Sequence, residues 1–434
     1  MHRPTKLLNK NFSLLWAGQS ISQLGIQGFD VALLLWIKHA TDSATLMGLI
    51  LMISTIPAVF LGPIGGTIAD RYSRRAIIIV SDLLSGISLF ALVIVMLGNP
   101  QATGVILTGL FIVSFSLSVI GAFFRPAVSA AIPDLVPDDR LTTANSLTQV
   151  TYQLAVFLGQ GLGGMLFRLL GAPVLILLNG LTYTTAAAAS MLITIPQVIP
   201  EKMHTLREQL SEFGKDIADG LVYVWHRPGL REMFFVSMFL NFFTAPIVIL
   251  LPFFVEDHLK ATTDWYGYLL AMYGIGSMIG YLLAGVLPIS GRARSRLMVA
   301  LMVAEAFGYG LLGLAKTPLM AVVMAFLGGA AGGIIAVYIT TLMQITTPGD
   351  IRGRVFGLLG ALSGSITPVA MGLSGIVADA LNQNIPLIYM GCGIIMTALS
   401  ILVSLSKDFR AFLAFEEPPA IPASEPNIAV TSES

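Results

Sequence analysis

The sequence predicts an all-α integral membrane protein, with twelve membrane-crossing helices arranged as two pseudo-symmetric six-helix bundles. Three observations predict it. Of the 434 residues, 55% are hydrophobic and 11% are charged, and mean hydropathy is +0.83, whereas a soluble domain carries about 25% charged residues. Apolar runs long enough to cross a bilayer recur along the whole chain. Basic residues gather on alternate connections between those runs. No soluble core could hide so much apolar surface, so the bilayer is the solvent for this chain.

A crossing helix needs about 20 mostly apolar residues. Runs that meet this length fall at 12–37, 44–68, 76–98, 102–124, 142–167, 173–195, 230–255, 265–288, 297–315, 319–343, 355–378 and 385–406. Gly98-Asn99-Pro100 divides the third from the fourth, Gly171-Ala172-Pro173 the fifth from the sixth, and Lys316-Thr317-Pro318 the ninth from the tenth. With both termini on one side, nineteen of the 24 basic residues fall on that side. Lys38, Arg168, Lys260 and Lys316 fall opposite, and Arg125 lies near the end of the fourth run. The positive-inside rule then puts both termini in the cytoplasm. The expected location is the inner (plasma) membrane. Arg3, Lys6 and Lys10 precede a first run that lacks a small-residue cleavage site, so no removable signal peptide is expected.

The expected organisation is a first bundle over 1–195, a linker over 196–228, a second bundle over 229–406 and a disordered cytoplasmic tail over 407–434. Within the linker, Leu206, Leu210, Phe213, Ile217, Leu221 and Val224 recur at spacings of three and four between charges. That pattern predicts an amphipathic helix on the cytoplasmic surface. The end of the chain is rich in Pro, Glu, Ser and Ala, a composition that does not support a packed core. The bundles read as a weak internal repeat. A displacement of 219 residues puts Gly48 on Gly267, Ile56 on Ile275 and Gly66 on Gly285; a displacement of 211 puts Gly161, Gly164 and Pro137 on Gly372, Gly375 and Pro348. Parallel repeats of this kind occur in secondary transporters.

Composition also excludes functions. Formal net charge is zero, which gives nucleic acid no basic surface. The single cysteine, Cys392, excludes a disulfide framework. His2, His39, His204, His226 and His258 all fall in expected loops or tails. There is no phosphate-binding loop of the form G-x-x-x-x-G-K-[ST], no metal-ligand cluster and no nucleophile–base arrangement. The chain is therefore expected to be no enzyme, to carry no cofactor or metal, and to draw energy from an ion gradient.

Between the second and third runs stands Gly66-Thr67-Ile68-Ala69-Asp70-Arg71-Tyr72-Ser73-Arg74-Arg75. It resembles the signature loop of the major facilitator superfamily, G-x-L-a-D-R-x-G-R-K, with Ser73 for the usual Gly and Ile68 for the frequent Leu. Phe124-Arg125-Pro126-Ala127, Ile132-Pro133-Asp134-Leu135-Val136-Pro137 and Leu141-Thr142-Thr143-Ala144-Asn145-Ser146 resemble the bacterial drug:proton antiporter branch, which includes macrolide-efflux proteins and the enterobactin exporter. The resemblance implies the superfamily fold, alternating access, and export of a bulky amphipathic small molecule in exchange for protons. Siderophore export and lipid or lysophospholipid transport remain alternatives on the same fold. The protein is expected to work as a monomer within the lipid bilayer.

The sharpest single residue is Asp30, inside the first run. A central carboxylate costs about 2.5–3.5 kcal/mol on insertion scales, so it faces protein or a water-filled cavity. Gln19, Gln23, Gln27 and Asp30 follow at spacings of 4, 4 and 3, forming one polar stripe on a helix. They suggest a cavity wall with Asp30 as proton-coupling residue, against a structural aspartate paired to a neighbouring helix. Glu305 is a second carboxylate inside a run, either coupling or structural; the resemblance places its helix at the periphery. Arg125 either binds anionic substrate, answers Asp30, or snorkels to the interface. Gln149, Gln153 and Asn241 are further cavity candidates. Arg71, Arg74 and Arg75 serve at least as positive-inside anchors. The resemblance adds that Asp70 latches this loop to the opposite half in one conformation, with Gly66, Asp82, Asp139, Arg140, Arg352 and Arg354 as candidate members of the gate. In the fifth run, Ala155-xxx-Gly159-Gln160-Gly161-Leu162-Gly163-Gly164 resembles the antiporter signature g-x-x-x-G-P-x-x-G-G, with Gln160 in place of its proline. Gly159, Gly163 and Gly164 read equally as helix-packing positions.

Overall fold

A computed structural model describes residues 6–197, 206–286 and 289–416. With no water in the hydrocarbon region, backbone N–H and C=O groups must be paired internally, and helices do this within one segment. The helices are α1 (Lys10–Thr41), α2 (Ala44–Arg71), α3 (Arg74–Gly98) and α4 (Thr103–Leu135). A continuous stretch, Leu141–Met191, then breaks at Gly171, whose φ of 75° and ψ of 167° are not helical. It therefore forms two crossings, α5 (141–170) and α6 (172–191). The linker helix is α7 (Leu206–Trp225). The second half comprises α8 (Pro228–Ile249), α9 (Asp264–Val286), α10 (Gly291–Leu312), α11 (Pro318–Thr346), α12 (Gly349–Ala380) and α13 (Ile385–Ser404). A short α14 (Lys407–Leu413) follows. Among the described residues, eleven helices are long and apolar enough to cross a membrane, and the break at Gly171 makes twelve crossings.

Packing repeats between the halves. In the first, α1 packs on α5, α2 on α4 and α3 on α6; in the second, α8 packs on α12, α9 on α11 and α10 on α13. Two seams join the halves, α2 with α12 and α5 with α9. We call the end that carries the start of α1 and the linker helix the linker face, and the other the far face.

Several boundaries differ from the sequence reading. α4 does not stop at 124 but runs through Pro126 and Pro133 to Leu135, because neighbouring helices let membrane helices absorb prolines. Arg125 is thus well inside a helix, not near its end. α8 stops at Ile249, before a turn at Leu251–Phe253 and a π-turn at Phe254–His258. His39 is not in a loop but in the last turn of α1. The tail expected from 407 begins instead as α14, whose Phe409 and Leu413 are buried. Arg294 donates from Nε to the Leu413 carbonyl at 3.0 Å and from Nη2 to the Phe415 carbonyl. Residues 417–434 lie outside the described part. So do 198–205, and the side chains of Leu206, Leu210 and Phe213 in the amphipathic pattern.

Ser73 accounts for one departure from the loop motif. Its Oγ caps α3, accepting from the Ala76 N–H at 3.3 Å. Serine at an N-cap satisfies a helix-start donor that glycine would leave open.

Candidate functional site

A cavity of about 830 Å³ lies between the halves. Drug-sized ligand sites span roughly 300–1,000 Å³. α1 supplies the whole polar stripe, Gln19, Gln23, Gln27 and Asp30, and α4 supplies Arg125. Both Asp30 and Arg125 are accessible from the cavity. Their charges interact across it, and neither forms a direct ion pair among the described residues. α5 adds Gln149 and Gln160, and the Gln160 Nε2 donates to Gln27 Oε1 at 2.8 Å. The residue in place of the motif's proline thus joins the polar stripe. α6 adds Tyr183, and the second half adds mainly apolar residues, among them Ile249, Leu270 and Met371. The result is one polar wall carrying both charges and one apolar wall, which suits an amphipathic guest.

The cavity extends toward the linker face, where Phe12, Ile132 and Thr148 line it. The far face is closed by contacts between halves. Lys38 at the end of α1 meets Glu256 at 2.9 Å and Asp257 at 3.1 Å, and His39 Nε2 lies 3.0 Å from Glu256. Burial alone would raise the Glu256 carboxyl, but hydrogen bonds from His39, Thr263 and Lys38 outweigh it and hold the group at about 2. Arg168 pairs with Asp264 at 3.0 Å. Asp379 of α12 caps the start of α2, accepting from the Ala44 and Thr45 N–H groups at 3.1 and 2.8 Å and from Ser43 Oγ at 2.9 Å.

At the linker face most of the sequence-predicted gate residues whose partners are described are tied within their own half, and Arg354 is tied to the linker helix. Arg74 pairs with Asp70 at 3.3 Å and with Asp134 at 2.5 Å, and it donates to the Ala130 carbonyl. Arg75 donates to the Ser190 and Met191 carbonyls. Asp139 and Arg140 pair with each other at 3.3 Å. Arg352 donates to the Thr347 carbonyl. Arg354 pairs with Asp216 at 2.8 Å and Asp219 at 3.0 Å on the linker helix. Gly66 lies on α2 one turn before Asp70. Asp82 is not at this face; it is buried inside the first half.

Other candidates lie away from the cavity. Gln153 is on an exposed face, and Asn241 donates from Nδ2 to the Ser237 carbonyl one turn back. Glu305 faces protein: Tyr309 OH donates to it at 3.3 Å, and a Cβ at Gly332 would stand 2.8 Å from its Oε1. Gly159 and Gly163 back onto Gln27 and Val31 of α1, and Gly164 backs onto Thr263 across the α5–α9 seam. Sequence reasoning missed Lys38, His39, Glu256, Asp264 and Asp379 as a set. Charge counting marks Lys38 and Arg168, with Lys260 and Lys316, as exceptions to the basic bias, without partners.

The family model described as "Transmembrane secretion effector" (MFS_3) matches residues 4–431. The chain belongs to this family. It is therefore a multi-pass membrane transporter of the major facilitator superfamily that handles small molecules, and not an enzyme. The transporter is 26% identical over 386 residues to the multidrug efflux pump Tap of Mycolicibacterium fortuitum, covering 84% of this chain and 90% of that one. Macrolide efflux protein A of Streptococcus pyogenes is 24% identical, covering 89% and 94%. The enterobactin exporter EntS of Citrobacter koseri is 27% identical, covering 94% and 93%. Among solved structures, a nucleoside transporter, NupG, superposes with a TM-score of 0.70 at 14% identity, over 93% of this chain and 99% of the other, which speaks to the fold.

Proposed function

We propose that this transporter exports bulky amphipathic compounds, of the macrolide and drug class, in exchange for protons. The observation that carries the reading is Asp30, a carboxylate inside a crossing helix that opens into a drug-sized cavity beside a polar stripe. The names of the relatives support efflux. The basic bias supports a cytoplasmic linker face, which makes the cavity inward-facing while the far latch is closed. Substrate enters from the cytoplasm or inner leaflet. Its apolar body lies against the second half, and its polar groups meet the glutamine stripe. The two halves then rock, the far latch parts, and the Gly66–Arg75 loop clamps the linker face. Asp30 takes a proton from outside and releases it inside.

Arg125 favours a second reading. A guanidinium in the cavity suits an anionic guest such as a catecholate siderophore, in keeping with the likeness to an enterobactin exporter. Arg125→Ala separates the two. It is expected to abolish transport of an anionic siderophore and to spare a cationic macrolide, measured by accumulation in cells that express each variant.

A further inference from the structure

The first half holds a second carboxylate that the cavity wall conceals. Asp82 on α3 is 1% exposed. Neither of its oxygens has a well-formed hydrogen bond among the described residues. The Gln19 amide approaches it from α1 without closing one, and Gln19 Nε2 is likewise without a partner. Ser22 on α1 and Asn179 on α6 are also 1% exposed, and each leaves a polar atom unpaired. Asp82 and Gln19 form a polar island where α3 meets α1, and Asn179 packs against Gly25 farther along α1. An isolated carboxylate anion is far too costly to bury without a partner. Elsewhere this chain provides partners: Arg74 for Asp134, Lys38 for Glu256.

The ionisable groups that face Asp82 are few. α3 contributes no other in this stretch, since Arg74 and Arg75 turn to Asp134 and to the end of α6. α6 contributes Tyr183, which also interacts with Ser85 on α3. Beyond Tyr183 lie Asp30 of α1 and Arg125 of α4, in the cavity. Tyr183 lines the cavity and interacts with both carboxylates. It is within electrostatic reach of both.

We propose that Asp82 is a second proton-binding site, loaded from the cavity by way of Tyr183 and Gln19; this rests on the proton-antiport reading. As Tyr183 oxygen accepts a proton from the cavity side, its own proton passes to an Asp82 oxygen. The tyrosine is unchanged, and Asp82 becomes a neutral acid. Two carboxylates on one route allow two protons to cross per substrate.

Two measurements test this on the full-length protein. The first is infrared titration in detergent, which reads the carbonyl band of protonated carboxylic acids and needs no substrate. Asp82→Asn is expected to remove one acid band that Asp30→Asn leaves in place. The second is the number of protons exchanged per erythromycin in proteoliposomes, read from the pH gradient that balances a set erythromycin gradient. Asp82→Asn is expected to halve it, Asp82→Glu to restore it, and Tyr183→Phe to keep it while slowing exchange several-fold. A purely structural Asp82 would lower Tm in Asp82→Asn without altering the ratio, and an unchanged ratio overturns the proposal. So does a set of acid bands in Asp82→Asn identical to that of wild type, or sodium-dependent protection from unfolding that this variant loses, which would make the island a sodium site. Failure of the antiport reading looks different. In that case Asp30→Asn remains fully coupled, or no compound moves protons at all, while the infrared result for Asp82 stands by itself.

Discussion

Lys38 is 6% exposed, and it meets two carboxylates from the other half. Removing one partner of a buried ion pair costs about 3–5 kcal/mol, because the other charge is left uncompensated; solvent around Asp257, 44% exposed, brings this toward the lower end. Lys38→Met is therefore expected to destabilise the closed far face by about 3 kcal/mol and to lower Tm, which a thermal melt in detergent reads. The pH dependence of this latch follows from Glu256. Its folded-state value is depressed from 4.5 to about 2. Its stabilisation is then complete above 4.5 and fades only as pH falls through about 2. Glu256 stays ionised across cellular pH, so it is a latch residue and not a proton carrier. Accordingly, Glu256→Gln should lower Tm at every pH between about 5 and 8; a loss confined to the acid end would contradict this. At this scale Asp30 and the glutamine stripe were legible, because four polar residues on one face of an apolar helix need a polar surface or water to meet. Glu256 was not legible: a carboxylate in a loop carries no signal until its partners are known.

Two adjacent glycines on α5 meet different neighbours. A Cβ at Gly163 would stand 2.7 Å from Val31 Cγ2, inside the first half. A Cβ at Gly164 would press on the Thr263 carbonyl group, 3.2 Å from its carbon, across the seam between halves. Overpacking costs about 1–3 kcal/mol. Gly163→Ala is expected to lower Tm in any conformation and to be relieved by Val31→Ala. Gly164→Ala is expected instead to hold the far face apart, with little change in Tm but faster labelling of a cysteine introduced at Thr45 from the far side. Equal labelling of Gly164→Ala and wild type would remove the seam from the mechanism. The g-x-x-x-G pattern announced close packing without saying which glycine faced which helix. The end of α4 was misplaced because Arg125-Pro126 reads as a stop in water. In a bundle the lost backbone bond is absorbed by neighbours, and Arg125 finds a cavity.

The whole molecule is organised by its repeat, and the far latch shows it. The displacement of 219 that aligns Gly48 with Gly267 also carries Ala44 and Thr45 onto Thr263 and Asp264. The displacement of 211 carries Gly164 onto Gly375 and Arg168 onto Asp379. Correspondingly, Gly164 backs onto Thr263 and Asp264, and Gly375 onto Ala44 and Thr45. Asp264 at the start of α9 meets Arg168, while the start of α2 meets Asp379. The two seams are the same contact made twice about an approximate two-fold axis. Most of the glycines that aligned the repeat in the sequence thus prove to be contact positions, although the sequence showed only the repeat and not the contacts. Partners so far apart along the chain cannot be matched by local patterning. A cross-link tests the seam: with Cys392→Ala as background, Ser43→Cys with Asp379→Cys, whose native side chains meet across it at 2.9 Å, should stop transport on oxidation and restore it on reduction. Undiminished transport by the cross-linked protein would mean that this seam does not open.

The proposed mechanism stands or falls on whether Asp30 couples transport to protons, and everted membrane vesicles with an acid interior decide it. Erythromycin, a cationic dye and a catecholate siderophore are added in turn while the interior pH is followed. At least one is expected to release protons with wild type and to release none with Asp30→Asn, although that variant folds and binds the same compound. Full proton release by Asp30→Asn would remove Asp30 from the mechanism.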